Sequence, residues 1–330
     1  MTLSNADYDI LMREFEETRD RHQRERDERV RAAEAEIPEL IELNDELRQK
    51  SLAAARQKLS DPSADTGWLS KETALILARK RQLLLSHGYA ANALSLQYDC
   101  PACEDTGLAN GKPCRCFQKK AARLLSRGLP PERLEEFPSF SHFSFAWYSA
   151  TIIDEFSGKS QRWLAEEAVR RAICFTEEIG NPDNNLFLYG NVGVGKTYLL
   201  LCIAERLLSN GYPVYYFDAG GLFDLLADAA FRRNGRTAQD ALSVSRCQVL
   251  LLDDLGTEHT NAFVKAELFQ LLNERRNAGL STVVSSNLDL NGIGDLYGER
   301  VSSRLIESNT PIRMVGSDIR LQKRLYASAP

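Results

Sequence analysis

Four of the seven cysteines fall within seventeen positions, in CPAC (100–103) and CRC (114–116). Thiolates arriving as two close pairs can surround one Zn²⁺ tetrahedrally. The intervening EDTGLANGKP is rich enough in turn residues to fold the pairs together. Cys100, Cys103, Cys114 and Cys116 leave no position for water, so the site they imply is structural, its metal contributing folding energy to a small segment. A second chemical stretch is NLFLYGNVGVGKTYLLLCIAERLL (185–208). A short apolar run enters Gly190, Asn191, Val192, Gly193, Val194 and Gly195, and an apolar helix opens at Lys196, Thr197 and Tyr198. Glycines in this setting let backbone N–H groups converge on phosphate oxygens at the positive end of the following helix. Lys196 would reach the β- and γ-phosphates of a nucleoside triphosphate, and the Thr197 hydroxyl would ligate Mg²⁺.

A third stretch, VLLLDDLGTE (249–258), carries two acids at the end of an apolar run, where ligands of open α/β sheets bind. Asp253 would hold Mg²⁺ through its water shell, and Asp254 would polarise an attacking water. STVVSSN ends in Asn287, an amide placed to orient that water. GERVSSRLIES puts Arg300 and Arg304 four apart on one helical face, and SDIRLQKRL adds Arg320. Such arginines are either solvated surface charge or stabilisers of a transferring phosphoryl group.

The elements that must position these residues follow from patterning. Apolar runs at 186–189, 213–217, 249–252 and 282–285 alternate with helical stretches, which argues for a parallel sheet with helices on both faces. Residues 160–179 read as a helix with Leu164, Ala168, Ala172, Phe175 and Ile179 along one face. LPPERLEEFPSFSHFSFAWYS reads as an irregular connector packed against something larger. Upstream, residues 1–50 hold nine basic and fifteen acidic residues, and Glu16 to Arg29 has no aliphatic or aromatic side chain. That stretch is expected to be a solvated helix with no buried face, held by pairs four apart such as Glu17/Arg21 and Glu25/Arg29. Apolar periodicity returns from Ile37 to Leu52, with Pro38 in the first turn of a new helix, and again from Lys71 to Leu85. The expected domains are a charged helical segment at 1–60, a helical region with the four-cysteine zinc site at 61–130, a connector at 131–159 and an ATPase domain at 160–330.

With 43% hydrophobic and 26% charged residues among 330, composition is that of a globular protein. No apolar run could span a bilayer, and the first residues lack the layout of a secretion signal. The chain is therefore expected in the cytoplasm, where clustered cysteines hold metal rather than form disulfides. Cys174, Cys202 and Cys247 sit in apolar contexts and are expected as small core residues. A net charge of −5 gives no global footprint for nucleic acid, so any contact must come from a local patch. One candidate is Phe231, Arg232, Arg233 and Arg236, which could stack on and neutralise a single strand. The other reading of that segment is an amphipathic helix with its arginines in water.

The order of these motifs resembles the AAA+ ATPases. GNVGVGKT stands as Walker A, VLLLDD as Walker B, Asn287 as sensor I, Arg304 as the arginine finger and Arg320 as sensor II, with Arg300 able to exchange roles with Arg304. DDLGTE, SSNLDL, GERVSSRL and SDIR narrow the resemblance to the DnaC/DnaI/IstB family of helicase loaders and transposition helpers. The implied fold is an α/β P-loop NTPase with a parallel sheet flanked by helices, preceded by a helical zinc-binding region. Most AAA+ enzymes carry Glu where this chain has Asp254, so either Asp254 or Glu258 completes the water-activating site. The cysteine cluster is similar to that of DnaI-type loaders, where it engages the replicative helicase. The implied cofactors are ATP, Mg²⁺ and Zn²⁺. The implied partners are a DnaB-type helicase, single-stranded DNA and further copies of the chain, since an arginine finger acts on a neighbour's nucleotide. A transposition ATPase and a nucleotide-sensing adaptor without turnover are the competing expectations.

Overall fold

The computed structural model describes residues 3–61, 63–129, 138–181, 184–231 and 235–327. The chain divides into two compact units, residues 9–114 and residues 115–330 with 1–8.

The first unit is built on three helices, α1 (Asn5–Glu36), α2 (Glu39–Ser60) and α3 (Gly67–Ser86). Ala33, Ile37, Leu40 and Leu84 form its small apolar core, with Leu83, Tyr89 and Leu94 packed against it. Pro38 stands just before α2 with φ of −58°, a backbone angle its ring already fixes. The charged part of α1 departs from expectation: it does have a buried face, a polar one. His22 is 7% exposed, and its Nδ1 lies 3.1 Å from a carboxylate oxygen of Asp105. Arg21 pairs with Asp99 at 3.1 Å, and Arg29 donates to the carbonyls of Ala93 and Ser95 at 3.0 and 3.2 Å. Apolar side chains are not needed here, because long polar ones satisfy the backbone groups of the segment they cover. That segment ends in a hairpin of β1 (Leu108–Ala109) and β2 (Lys112–Pro113). Its turn residues Asn110 and Gly111 have φ of 52° and 74°, as a two-residue Asn-Gly hairpin loop requires.

The second unit opens with α4 (Arg115–Leu125) and two single turns of 3₁₀ helix at 140–142 and 145–147. It continues through α5 (Gln161–Glu177), β3 (Leu186–Tyr189), α6 (Lys196–Ser209), β4 (Val214–Asp218), α7 (Ala219–Phe231), α8 (Gly235–Arg246) and β5 (Val249–Leu255). Then come α9 (Ala262–Asn277), β6 (Ser281–Ser286), α10 (Leu290–Tyr297), α11 (Glu299–Ser308), β7 (Thr310–Arg313) and α12 (Ile319–Ala327). The sheet is parallel, in the order β4-β5-β6-β3-β7. Its central strands β5, β6 and β3 are buried along nearly their whole length because both faces are covered, β6 including its serines and threonine. One face packs on Ala168, Ala172, Phe175, Leu199 and Ile203 of α5 and α6; the other packs on Leu222, Leu268, Ile293 and Leu305 of α7, α9, α10 and α11.

Strand β7 lies outside the expected set. TPIR offers one buried apolar residue, Ile312, and a proline, which an edge strand tolerates because it needs donors on one side only. Cys202 and Cys247 are buried as expected, with burial pushing the Cys202 thiol up to about 12. Cys174 is a correction: it is exposed, because it lies on α5 away from the face that buries Ala168, Ala172 and Phe175.

Candidate nucleotide and metal sites

Residues 190–195 connect β3 to α6 at the carboxyl edge of the sheet, where β3 lies between β6 and β7 and the chain leaves toward β4. Gly190 and Gly193 have φ of 145° and 77°. A Cβ on Gly190 would stand 2.0 Å from the Met314 carbonyl oxygen, and one on Gly193 would stand 2.2 Å from the Asp318 carboxyl carbon. At Gly190 the backbone itself excludes a side chain, and at Gly193 the positive φ strains one and Asp318 would have to move aside. Lys196 opens α6 and is 4% exposed. Its Nζ donates to the carbonyls of Gly190 and Asn191, each at 2.8 Å, and to Asn287 Oδ1 at 2.7 Å. Burial pushes this ammonium below the usual lysine range, while Asp254 and Asp253 act the other way. A phosphate chain entering here would give Lys196 a stronger partner than any of these three.

The cavity above the loop has a volume of about 550 Å³. Val192, Gly193, Gly195, Lys196, Thr197 and Tyr198 line one wall, and Asp254, Asn287 and Arg320 face them. Gly190, Asn191 and Val194 belong to the loop without lining the cavity; the Val194 carbonyl accepts a hydrogen bond from Tyr148 at 2.7 Å. No motif announces the third wall. His142, Phe143, Trp147 and Tyr148 of the connector close the cavity, with the Lys323 ammonium 5.8 Å from the centre of the Trp147 ring. Aromatic density is the signal in the sequence, but a connector without periodicity does not say which way its rings turn. Flat apolar faces beside a phosphate loop suit the base of a nucleotide.

Asp253 and Asp254, near the end of β5, sit in different environments. Asp253 is 3% exposed; one carboxylate oxygen accepts the Tyr216 hydroxyl at 2.7 Å and the other accepts the Ser285 hydroxyl. Tyr216 and Ser285 come from the neighbouring strands β4 and β6, and no local motif announces them. Asp254 turns into the cavity with φ of 53°. Its carboxyl is held above the usual range, first by burial and then by Asp253, with Lys196 and Arg320 opposing. Glu258 is held elsewhere: it accepts the Tyr297 hydroxyl and the Gly256 N–H at 3.0 Å, and it is not among the residues lining the cavity.

Arg320 reaches the cavity from the first turn of α12, which Asp318 caps by accepting its N–H at 2.8 Å. The adjacent Ile319 N–H donates to the Gly193 carbonyl at 2.9 Å, tying α12 to the loop. Arg300 and Arg304 lie on α11, and neither is among the described residues lining the cavity. Arg300 is exposed, and Arg304 pairs with Glu307 at 3.1 Å. Of the candidate strand-binding patch, Phe231 is 71% exposed, with its ring 5.2 Å from that of Phe263. Arg232, Arg233 and the side chain of Arg236 lie outside the described residues.

The sulfurs of Cys100, Cys103, Cys114 and Cys116 all lie within 4.8 Å of one another, those of Cys100 and Cys114 at 3.8 Å. A tetrahedron with Zn–S bonds of about 2.3 Å has edges of about 3.8 Å, so the donor set fits zinc. Asp105 braces it, accepting the N–H groups of Asp99 and Cys100 at 3.0 and 2.7 Å.

The sequence profile of the IstB-like ATP binding proteins matches residues 155–327. The IS21 insertion-sequence ATP-binding protein of Pseudomonas aeruginosa is 26% identical over 182 residues, 53% of this chain and 66% of that protein. The replicative helicase loader DnaC of Escherichia coli K12 is 24% identical over 144 residues, 43% of this chain and 58% of that protein. The chain thus covers less than two thirds of either relative. The crystal structure of DnaI aligns with a TM-score of 0.46 at 22% identity, over 60% of this chain and 98% of that one. With the profile spanning just over half of the residues, from α5 through α12, the chain belongs to the IstB/DnaC family of AAA+ ATP-binding proteins.

Proposed function

We propose that this protein is an ATP-dependent loader that docks through its zinc-bearing amino-terminal region onto a DnaB-type hexameric helicase and sets it on single-stranded DNA. The observation that carries this reading is the pairing of a four-sulfur, zinc-fitting cluster with a nucleotide cavity of family type. The similarity to DnaC, a replicative helicase loader, supports it further.

In this reading ATP seats its base against the aromatic wall and its phosphates over residues 190–197. Lys196 exchanges its carbonyl partners for β- and γ-phosphate oxygens, freeing Asn287 to orient the attacking water, which Asp254 polarises. Thr197 and Asp253 would hold Mg²⁺, which supplies neutralisation of phosphate charge. Arg320 stabilises that charge from within the chain, and Arg304, with Arg300, does so on a neighbouring copy. ATP binding favours the assembled, DNA-gripping state, and hydrolysis releases it.

The test is co-purification of the full chain with the replicative helicase of the same cell, with and without ATP. Retention supports the loader; a helicase never retained removes it. One second reading has specific support, since the matching profile and the Pseudomonas aeruginosa relative both belong to insertion-sequence ATP-binding proteins. An ATPase helper of transposition would bind duplex DNA stably and leave the helicase behind.

A further inference from the structure

Tyr297 closes α10 and is 3% exposed. Its hydroxyl donates to one oxygen of Glu258, whose other oxygen accepts the Gly256 N–H at 3.0 Å. Burial first, and then Glu258 itself, push the phenol far above its usual value, so it remains a donor throughout the working pH range. Glu258 lies four residues after Asp254, in a turn closed at its other end by Asp254, whose carbonyl accepts the Thr257 hydroxyl at 2.9 Å. Gly256, with φ of 103°, lets the chain reverse between these anchors. On the far side of Tyr297, Gly298 caps α11 with φ of 97°, and α11 carries Arg300 and Arg304. The Ser302 hydroxyl fastens α11 to α10 through the Leu290 carbonyl at 2.9 Å, and Val301 and Leu305 bury its inner face.

We infer that the Tyr297–Glu258 hydrogen bond is a positioning link, transmitting the state of the acid-bearing turn in one copy to the arginines that copy presents to its neighbour. The inference rests on the proposed action of Arg300 and Arg304 in trans. Asp254 faces the cavity and Glu258 does not, so the five-residue turn has one end at the chemistry and the other on α10. With Leu255 held in the sheet beside Ser286, whose hydroxyl donates to its carbonyl, a change at Asp254 passes along residues 256–258 to the buried phenol and so to the start of α11. Two sites coupled in this way influence each other reciprocally.

The test mixes full-length chains. Acceptors carry Arg300→Ala and Arg304→Ala with an intact nucleotide site; donors carry Asp254→Asn, which retains ATP without turnover. Donors with native Tyr297 should restore hydrolysis to acceptors. Adding Tyr297→Phe to the donor should cut that restored rate at least about fivefold, the lower end of typical coupling between sites, with donor ATP affinity maintained and the donor still fully folded at the assay temperature. The same substitution in the acceptor, which has no arginines to position, should leave the rate within about twofold. Glu258→Ala in the donor should reproduce the loss, and the double variant should be no worse than either single one. Equal rescue by donors with and without the Tyr297→Phe substitution would overturn the link alone. Failure of the native-Tyr297 donor to rescue would overturn the trans-acting arginines and the link with them.

Discussion

Asp254 occupies a left-handed backbone position, φ 53°, that Asp and Asn adopt several-fold more readily than Glu. This gives a physical reason for the shorter acid where most AAA+ enzymes carry Glu: the turn that aims the carboxylate into the cavity disfavours the longer residue. Asp254→Glu is therefore expected to lower stability by roughly 1 kcal/mol and not to raise turnover, checked by thermal unfolding and steady-state ATPase assays. Asp254→Asn should abolish turnover yet raise the melting temperature at neutral pH. The sign follows from linkage: the folded protein raises this acid's affinity for protons, so it is favoured when Asp254 is protonated and loses stability as pH rises through the raised value. At this scale motif spacing leads to Lys196, Thr197, Asp254, Asn287 and Arg320, all of which line one cavity, whereas Arg300 and Arg304, singled out in the same way, do not line it. It is silent on Tyr216 and Ser285, whose hydroxyls reach Asp253 from separate strands, because pairing across a sheet is not written in either strand.

Elements are joined here by buried polar side chains as much as by apolar packing. Arg275, at the end of α9, is fully buried and donates to the carbonyls of Val244, Cys247 and Ser281 and to the Thr282 hydroxyl, at 2.6 to 3.0 Å. It fastens the end of α8 and the starts of β5 and β6 together. Arg275→Met would strand those acceptors and should cost roughly 3 kcal/mol, read from denaturant unfolding, without touching the cavity. The segment that carries the four sulfurs is braced by Asp105 in the same manner. Asp105→Asn loses charge toward two N–H donors and His22, and should weaken zinc binding about 10- to 100-fold, measured by chelator competition. Four of the five sheet strands and the flanking helices are legible from apolar runs and turn residues. Strand β7 is not, since an edge strand with one buried residue has no pattern to detect. The buried face of α1 is hidden because its contacts are hydrogen bonds from Arg21, His22 and Arg29, which hydrophobic periodicity does not register.

At the scale of the whole molecule, a zinc-fitting segment and an ATP-binding module share one chain in which no described helix is long and apolar enough to cross a membrane. Every functional step proposed above depends on a triphosphate occupying the cavity between residues 190–197 and Asp254. The most direct measurement is equilibrium titration of the purified full chain with ATP and Mg²⁺, alongside Lys196→Ala and Asp254→Asn. The account predicts one nucleotide per chain for the native protein and for Asp254→Asn, and loss of binding for Lys196→Ala with its fold intact. A folded native chain that takes up no ATP, or a Lys196→Ala variant that binds as well as the native one, would contradict it.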